Sequence, residues 1–436
     1  MLFHISTLGC KVNQHESDVL AAALNAHGWQ AIEDGEVADV CIVNTCTVTQ
    51  KASMQSRQTI RQLQRSHPGT RIIVTGCYAQ IAPEEIESID GVHAIVGHRR
   101  KSDLPELIVR AAAHADTDPL CAVEDLDAGT PFAEPLTTVP GTRSRPFLKI
   151  QDGCNSFCTY CIVPYARGRS RSMRPGEVLR HLRQLGAMGY HEVVLTGIHL
   201  GAYGMDLSPA THLQALLEQI ETHRPLVRIR LSSIEPNELN RSIIDLVASS
   251  DIFCPHFHLP LQSGDDRILQ RMHRPYSRDL FQQQVRAIKT RMPRASVGAD
   301  VLVGFPGEDD HSFANTSQLL EELPLSYLHV FPFSRRPGTP ACDYPDQITP
   351  QIIKQRTARI REIGFEKKQA FMCSSVGQKA SVLVENRRDP VTGRLKGLTT
   401  NYLSLLLEGD DRHMNTVVPV VVEGVHDAST LFGRIV

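Results

Sequence analysis

Short apolar runs and helical patterns alternate along most of this chain. Residues 2–8, 37–43, 70–75 and 93–96 are β-branched-rich runs that end in polar turns, and they predict strands. Residues 17–27, 53–65, 83–89 and 103–114 carry helical spacing between them; Ser17 and Asp18 open the first and Gly28 closes it. Such alternation predicts an open α/β domain with a mainly parallel sheet. Residues 116–144 break the pattern. They are acidic as far as Glu134 and then pass through Pro135, Pro140 and Gly141, which reads as a linker with room for one short strand.

From Arg145 the alternation restarts. Strands are expected at 147–151, 192–195, 227–231, 256–261, 296–303 and 327–331. Helices are expected at 175–188, 212–222, 238–249, 276–291, 309–322 and 349–370. Six such units predict a partial (β/α)6 barrel, two units short of a full one. The remainder holds short strand patterns at 380–384, 398–400, 402–407, 416–422 and 431–436, the signature of a small all-β, OB-like barrel. The expected organisation is therefore α/β multidomain: 1–115, a linker 116–144, the partial barrel 145–371 and the β domain 372–436.

Composition narrows the function. Lys plus Arg number 46 against 48 Asp plus Glu, a net charge of −2 over 436 residues, so no global basicity marks a nucleic-acid binder. Basic residues nevertheless gather in 51–71, 143–183 and 267–294, offset by the acidic linker. No apolar run reaches the roughly 18 residues of a membrane span, and MLFHISTLGCKVN lacks the form of a secretion signal. Cysteines number 11, an odd count spread along the chain, which argues against a disulfide scaffold and for metal-binding or catalytic thiols in a cytoplasmic protein.

Cys154, Cys158 and Cys161 form the strongest local signal, in the loop after the first barrel strand. Zinc is one reading, but structural zinc takes four ligands and no Cys or His follows at finger-like spacing. Three thiolates suit a 4Fe–4S cluster with one iron open to a small molecule. Cys10, Cys46 and Cys77 each stand at or just past the end of a predicted strand, 46 − 10 = 36 and 77 − 46 = 31 residues apart, about one βα unit each. Parallel strands place their carboxyl ends on one edge, where three thiols can converge on a second metal. The plain alternative is three small turn residues. Cys41 lies mid-strand and is expected in the core; Cys121, Cys254, Cys342 and Cys373 have no partner spacing.

At these residues the chain resembles the radical S-adenosylmethionine superfamily. The segment Lys149–Ser172, with Tyr160 beside the last thiol, narrows the resemblance to the methylthiotransferases. Leu8-Gly9-Cys10-Lys11-Val12-Asn13, Asn44-Thr45-Cys46 and Thr75-Gly76-Cys77 agree, and the C-terminal part resembles the family's TRAM domain. The resemblance spans essentially the whole chain. It implies a 4Fe–4S cluster on Cys154, Cys158 and Cys161 that binds S-adenosylmethionine and releases a 5′-deoxyadenosyl radical. It also implies an auxiliary 4Fe–4S cluster on Cys10, Cys46 and Cys77 that delivers sulfur. Tyr160, Thr196, Gly197, Ser232, Glu235 and Gly304 are the implied S-adenosylmethionine contacts.

Three branches of that family differ in substrate: isopentenyladenosine in tRNA, threonylcarbamoyladenosine in tRNA, or an aspartate of a ribosomal protein. Lys11-Val12-Asn13 with Glu16, and the stretch 164–172, resemble the threonylcarbamoyladenosine branch. The expected partners are tRNA and an electron donor of flavodoxin or ferredoxin type, with the sulfur donor open and a monomer expected. Arg167, Arg169 and Arg171 directly follow the cysteine loop and are the candidate phosphate contacts. A different class, a non-catalytic iron–sulfur RNA-binding redox sensor, needs no substrate-sized barrel mouth.

Overall fold

The β-branched runs near the N-terminus pair side by side in a computed structural model that describes residues 1–32, 36–113, 120–126, 130, 132 and 143–436. Six strands lie in the order Gln30–Ala31, Leu2–Thr7, Val40–Thr45, Arg71–Gly76, Val92–Val96, Leu120–Ala122. All are parallel. Both faces are apolar, so both need cover. Val40 and Ile42 join a core with Leu24 and Ile108 on one face, and Cys41 and Val43 join Ile60 and Ile86 on the other.

Two expected elements are shifted. The third strand in that order begins at Val40, not 37, and runs through Asn44 and Thr45. These polar residues are held by hydrogen bonds, although Asn44 Oδ1 accepts none among the described residues: Asn44 Nδ2 donates to the Asn13 carbonyl at 2.9 Å and Thr45 Oγ1 to the Thr75 carbonyl at 2.6 Å. The first helix spans Lys11–Ala26 and starts directly after Cys10, six residues earlier than its apolar spacing indicates, because its first turn is polar. The short strand allowed for in the acidic stretch is Leu120–Ala122, and it belongs to this sheet. The rest of that stretch, apart from a few residues, lies outside the described residues.

The six later strands form two groups, Arg228–Leu231, Glu192–Thr196, Phe147–Lys149 and His256–Gln262, Ser296–Val303, Tyr327–Pro332, with the first two strands of the first group and all three of the second running parallel. Isolated bridges from Ile229 to Phe253 and from Ser233 to His258 join them. Helices follow, among them Leu213–His223, Arg241–Ser249, Arg278–Arg291, Asp310–Glu322 and Pro350–Cys373. Several open on a capping side chain that accepts the orphan N–H three residues on: Asn240 from Ile243, Ser277 from Leu280 and Asp309 from Ser312. The architecture is the expected partial (β/α)6 barrel. Residues 379–435 close a five-stranded β barrel, the TRAM-like domain, around Val382, Leu405, Leu407 and Leu431.

The chain divides into two compact units. One comprises Met1–Val139, Lys149–Met173 and Ser334–Cys342; the other comprises Pro140–Leu148, Arg174–Phe333 and Asp343–Val436. No helix among the described residues is long and apolar enough to cross a membrane.

Candidate functional site

The loop of Cys154, Cys158 and Cys161 is held by its own backbone. Gly153 sits at φ +72°, and a Cβ there would lie 2.0 Å from the Arg169 carbonyl oxygen, so only glycine lets the two segments meet. The Cys154 N–H donates to the Gly168 carbonyl at 3.0 Å and the Cys161 N–H to the Cys158 carbonyl at 2.9 Å. Gln151 Nε2 bonds the carbonyls of Asp152 and Gly153 and the Ser170 hydroxyl. From the far end of the unit, the Ala341 N–H donates to the Thr159 carbonyl at 2.8 Å. Cys158 is buried, while Cys154, Tyr160 and Cys161 are half-buried.

The second trio is assembled by topology. Cys10 caps the helix Lys11–Ala26, Cys46 follows the strand Val40–Thr45, and Cys77 opens the helix Cys77–Ile81. Parallel register sets Thr7 beside Asn44 and Thr45 beside Gly76, which brings the three thiols to one edge. Gly9, at φ +96°, lies so near that a Cβ would stand 2.8 Å from Cys46 Sγ. The thiols feel one another electrostatically. Burial pushes Cys77 up to about 11, and ionised Cys46 and Cys10 add to that rise. Burial also raises Cys46, with Cys10 contributing. None of the 11 cysteines forms a disulfide.

Beside this trio lies a buried charge network that sequence reasoning missed. Arg167 donates to Asn13 Oδ1 at 2.5 Å, to Glu16 Oε1 at 3.0 Å and to Asp152 Oδ1 at 2.8 Å. Lys149 reaches Glu16 and Asp152, both at 3.1 Å, and Lys101 pairs with Glu16. Burial opposes the charge on Arg167, but Glu16, Cys77, Asp152 and Cys10 hold it well above the usual range. Asn13 also lies 3.9 Å from Cys10 Sγ, so one side-chain oxygen faces both a thiol and the guanidinium. Arg167 is fully buried, so it is no phosphate contact. Arg171, 13% exposed, donates to the Arg167 carbonyl and lies 3.6 Å from Asp152, which also commits it inward. Only Arg169 of the three faces solvent. The signal was present in Asn13 and Glu16, one helical turn apart; only the fold shows what they bind.

In the barrel unit, Thr196 and Ser232 are buried at or just past strand ends, Glu235 follows partly buried, and Gly197 adjoins Thr196. Ser232 Oγ and Glu235 Oε2 are buried with no hydrogen-bond partner among the described residues. Native proteins rarely leave such atoms unpaired without a ligand or water to meet them. Glu235 uses its other oxygen to accept from Arg274 at 2.9 Å, and burial raises its pKa. Gly304 has a different explanation: at φ +82°, a Cβ there would stand 2.4 Å from Ile353, so packing against the helix Pro350–Cys373 accounts for the glycine.

The donor sets fit the implied groups. Among the described residues, three ligand atoms lie within 4.8 Å of one another only at His258, Asp300 and His329. Neither thiol trio is drawn in that tightly, and soft thiolates spread more widely suit an iron–sulfur cluster better than one zinc ion.

Comparison with known proteins agrees. Residues 2–97 match the family described as Uncharacterized protein family UPF0004, and residues 148–320 match the Radical SAM superfamily. The chain is 35% identical to the threonylcarbamoyladenosine tRNA methylthiotransferase MtaB of Bacillus subtilis, over 96% of this chain and 93% of that one. It is 34% identical to the tRNA-2-methylthio-N(6)-dimethylallyladenosine synthase of Pelotomaculum thermopropionicum, over 97% and 95%. Its fold is that of the radical S-adenosylmethionine methyltransferase TsrM from Kitasatospora setae, with TM-score 0.56 and 17% identity over 78% of this chain and 74% of that one. With both thiol trios in place and such relatives along nearly its whole length, the chain belongs to the radical S-adenosylmethionine tRNA methylthiotransferases.

Proposed function

We propose that this enzyme inserts a methylthio group at carbon 2 of N6-threonylcarbamoyladenosine 37, next to the anticodon of tRNA. The observation that carries the reading is the pair of three-thiol donor sets in one compact unit, each leaving a cluster iron without a protein ligand. The names of the relatives supply the substrate.

Cys154, Cys158 and Cys161 would hold one 4Fe–4S cluster, and Cys10, Cys46 and Cys77 the other. When bound, the first supplies the electron that cleaves S-adenosylmethionine and the second carries the sulfur for transfer. The chain's own residues bind and orient. Ser232 Oγ and Glu235 Oε2 offer a hydroxyl and a carboxylate oxygen to the hydroxyl and amino groups of S-adenosylmethionine, and Arg274 fixes Glu235 from its other side. Tyr160, Thr196 and Gly197 take the remaining cofactor contacts, and Arg169 takes an RNA phosphate. Arg167, locked by Asn13, Glu16 and Asp152, sets a permanent positive charge beside Cys77 and Cys10. A flavodoxin- or ferredoxin-type donor would supply electrons to a cytoplasmic monomer.

The test is mass spectrometry of tRNA nucleosides from cells with and without the gene. Loss of the methylthio form of threonylcarbamoyladenosine alone is the expected outcome. Loss of the dimethylallyl form instead overturns the substrate assignment. Anaerobic formation of 5′-deoxyadenosine and methionine by the purified protein separates an enzyme from a redox sensor.

A further inference from the structure

Arg167 is tied to the auxiliary trio through Asn13. Asn13 Nδ2 donates to the carbonyls of Leu8, at 2.7 Å, and Thr45, at 2.9 Å, in the turns that lead into Cys10 and Cys46. Asn13 Oδ1 accepts from Arg167 Nη2 at 2.5 Å. The guanidinium is therefore braced against the turns that carry two of the three thiols. Glu16 takes both ends of the same fork, Nη1 at 3.0 Å and Nη2 at 3.2 Å, and Asp152 takes Nη1 at 2.8 Å. Bidentate contacts of this kind fix the plane of a guanidinium as well as its charge.

These bonds leave one donor over. Arg167 Nε is buried with no hydrogen-bond partner among the described residues. A buried N–H is rarely left unpaired, least of all on a charged group. Besides Glu16 and Asp152, the charges that favour the Arg167 cation are those of Cys77 and Cys10. Arg167 in turn favours the ionised forms of Cys46 and Cys77. All three auxiliary thiols thus feel this cation. Two other basic groups of the network hold their charge less firmly. Burial lowers Lys101 despite its contact with Glu16, and burial with Lys101 and Arg167 keeps His98 neutral. Arg167 is the fixed charge, since a guanidinium does not give up its proton in a protein.

We propose that Arg167 raises the reduction potential of the auxiliary cluster, by its fixed charge and by donating Nε–H to a cluster sulfur. The inference rests on the function proposed above and gives the redox setting of its sulfur-carrying site to one residue. A reduced cluster carries one more negative charge than an oxidised one, and a buried cation stabilises the more negative form. Hydrogen bonds to the sulfurs act in the same direction. The setting matters for transfer. When a carbon radical takes sulfur from the cluster, one C–S bond forms and one Fe–S bond breaks. The radical supplies one electron of the new bond and the broken bond supplies the other. The electron left over stays on the cluster, which is thereby reduced by one. A higher potential favours that step.

The test is an anaerobic redox titration followed by electron paramagnetic resonance. It uses the full chain carrying Cys154→Ala, Cys158→Ala and Cys161→Ala, so that the auxiliary cluster alone reports. In that background Arg167→Gln should lower the ratio of reduced to oxidised cluster at a fixed potential by about tenfold or more, about 59 mV for one electron. Glu16→Gln removes a negative charge from the same network and should raise the ratio. Arg167→Lys keeps the charge without the Nε–H and should fall between native and Arg167→Gln. Iron and sulfide contents are compared with native in each variant. A purely structural role predicts shifts of one sign or none. An unchanged ratio in Arg167→Gln, or shifts of the same sign in Arg167→Gln and Glu16→Gln, therefore overturns the proposal. Where Arg167→Gln holds no iron, Glu16→Gln decides alone, and a ratio at or below native overturns it. With both trios intact, thiolated tRNA per 5′-deoxyadenosine should fall about tenfold in Arg167→Gln. An unchanged yield overturns the link to transfer. Failure of the alanine background to hold any cluster would sink the two-cluster reading, and this inference with it.

Discussion

The two cysteine trios reach the same donor chemistry by opposite routes. Cys154, Cys158 and Cys161 lie on one loop, and local backbone bonds set their geometry. Cys10, Cys46 and Cys77 come from three separate strand ends and meet only because the sheet is parallel and in register. The first trio carries its specification in neighbouring residues. The second depends on every contact that keeps the sheet edge and the segment Lys149–Met173 together in one unit. A buried cation, Arg167, stands where that dependence is greatest.

Removing one thiol from each trio gives the largest contrast. Cys158→Ala should abolish both 5′-deoxyadenosine formation and product. Cys10→Ala should leave S-adenosylmethionine cleavage intact while thiolated tRNA disappears, with about half the iron lost. Chromatography of the small-molecule products beside nucleoside analysis reads both. Normal thiolation by Cys10→Ala would end the two-cluster assignment.

The supports come next. Gly153→Ala must move the Arg169 carbonyl or give up its own backbone angle, at a cost of a few kcal/mol, on the order of 1–3 for the angle alone. Iron reconstitution at the Cys154 loop should fall accordingly, while the other trio keeps its iron. Loss of iron from both trios would show that they are not independently built.

Glu16→Gln tests the topological trio. It leaves Arg167, Lys149 and Lys101 short of a buried anion and should cost about 3–5 kcal/mol near pH 7. Burial favours the neutral carboxyl, but Arg167, Lys101, Lys149 and His98 outweigh it and hold Glu16 well below its usual value. A depressed carboxylate pKa stabilises the folded state above the unfolded value of about 4.5 and loses that contribution as pH falls below it. The difference between native and variant in denaturant unfolding should therefore shrink in acid. A difference independent of pH would mean that Glu16 acts through packing alone.

Arg169→Ala should have the smallest effect. One exposed phosphate contact contributes about one unit to the slope of log affinity against log salt, and its loss should weaken all tRNAs alike. Arg167→Ala, in contrast, should disturb iron loading more than the salt slope. The reverse ranking would return Arg167 to the RNA surface.

Much of this was legible in residue order. The alternating patterns placed the sheet, the six βα units and the closing β barrel, because periodicity follows from which face is buried. The spacing of Cys154, Cys158 and Cys161 marked a thiolate site, and the strand-end positions of Cys10, Cys46 and Cys77 suggested a second. Boundaries were less legible where polar residues do structural work. The polar first turn hid the start of the helix Lys11–Ala26, and Asn44 and Thr45 hid the end of a strand.

What residue order could not contain was the fate of charge. Arg167, Arg169 and Arg171 look alike in sequence, three arginines at alternate positions after a cysteine loop. The fold buries the first against Glu16, an acid 151 residues away, turns the third inward and leaves only the middle one in water. His258, Asp300 and His329 carry no local motif either, since they meet across three strands. Periodicity and short spacings are local properties, so the chain alone decides them. Solvation and pairing of ionisable groups depend on which distant segment fills the space beside them, and only the tertiary structure decides that.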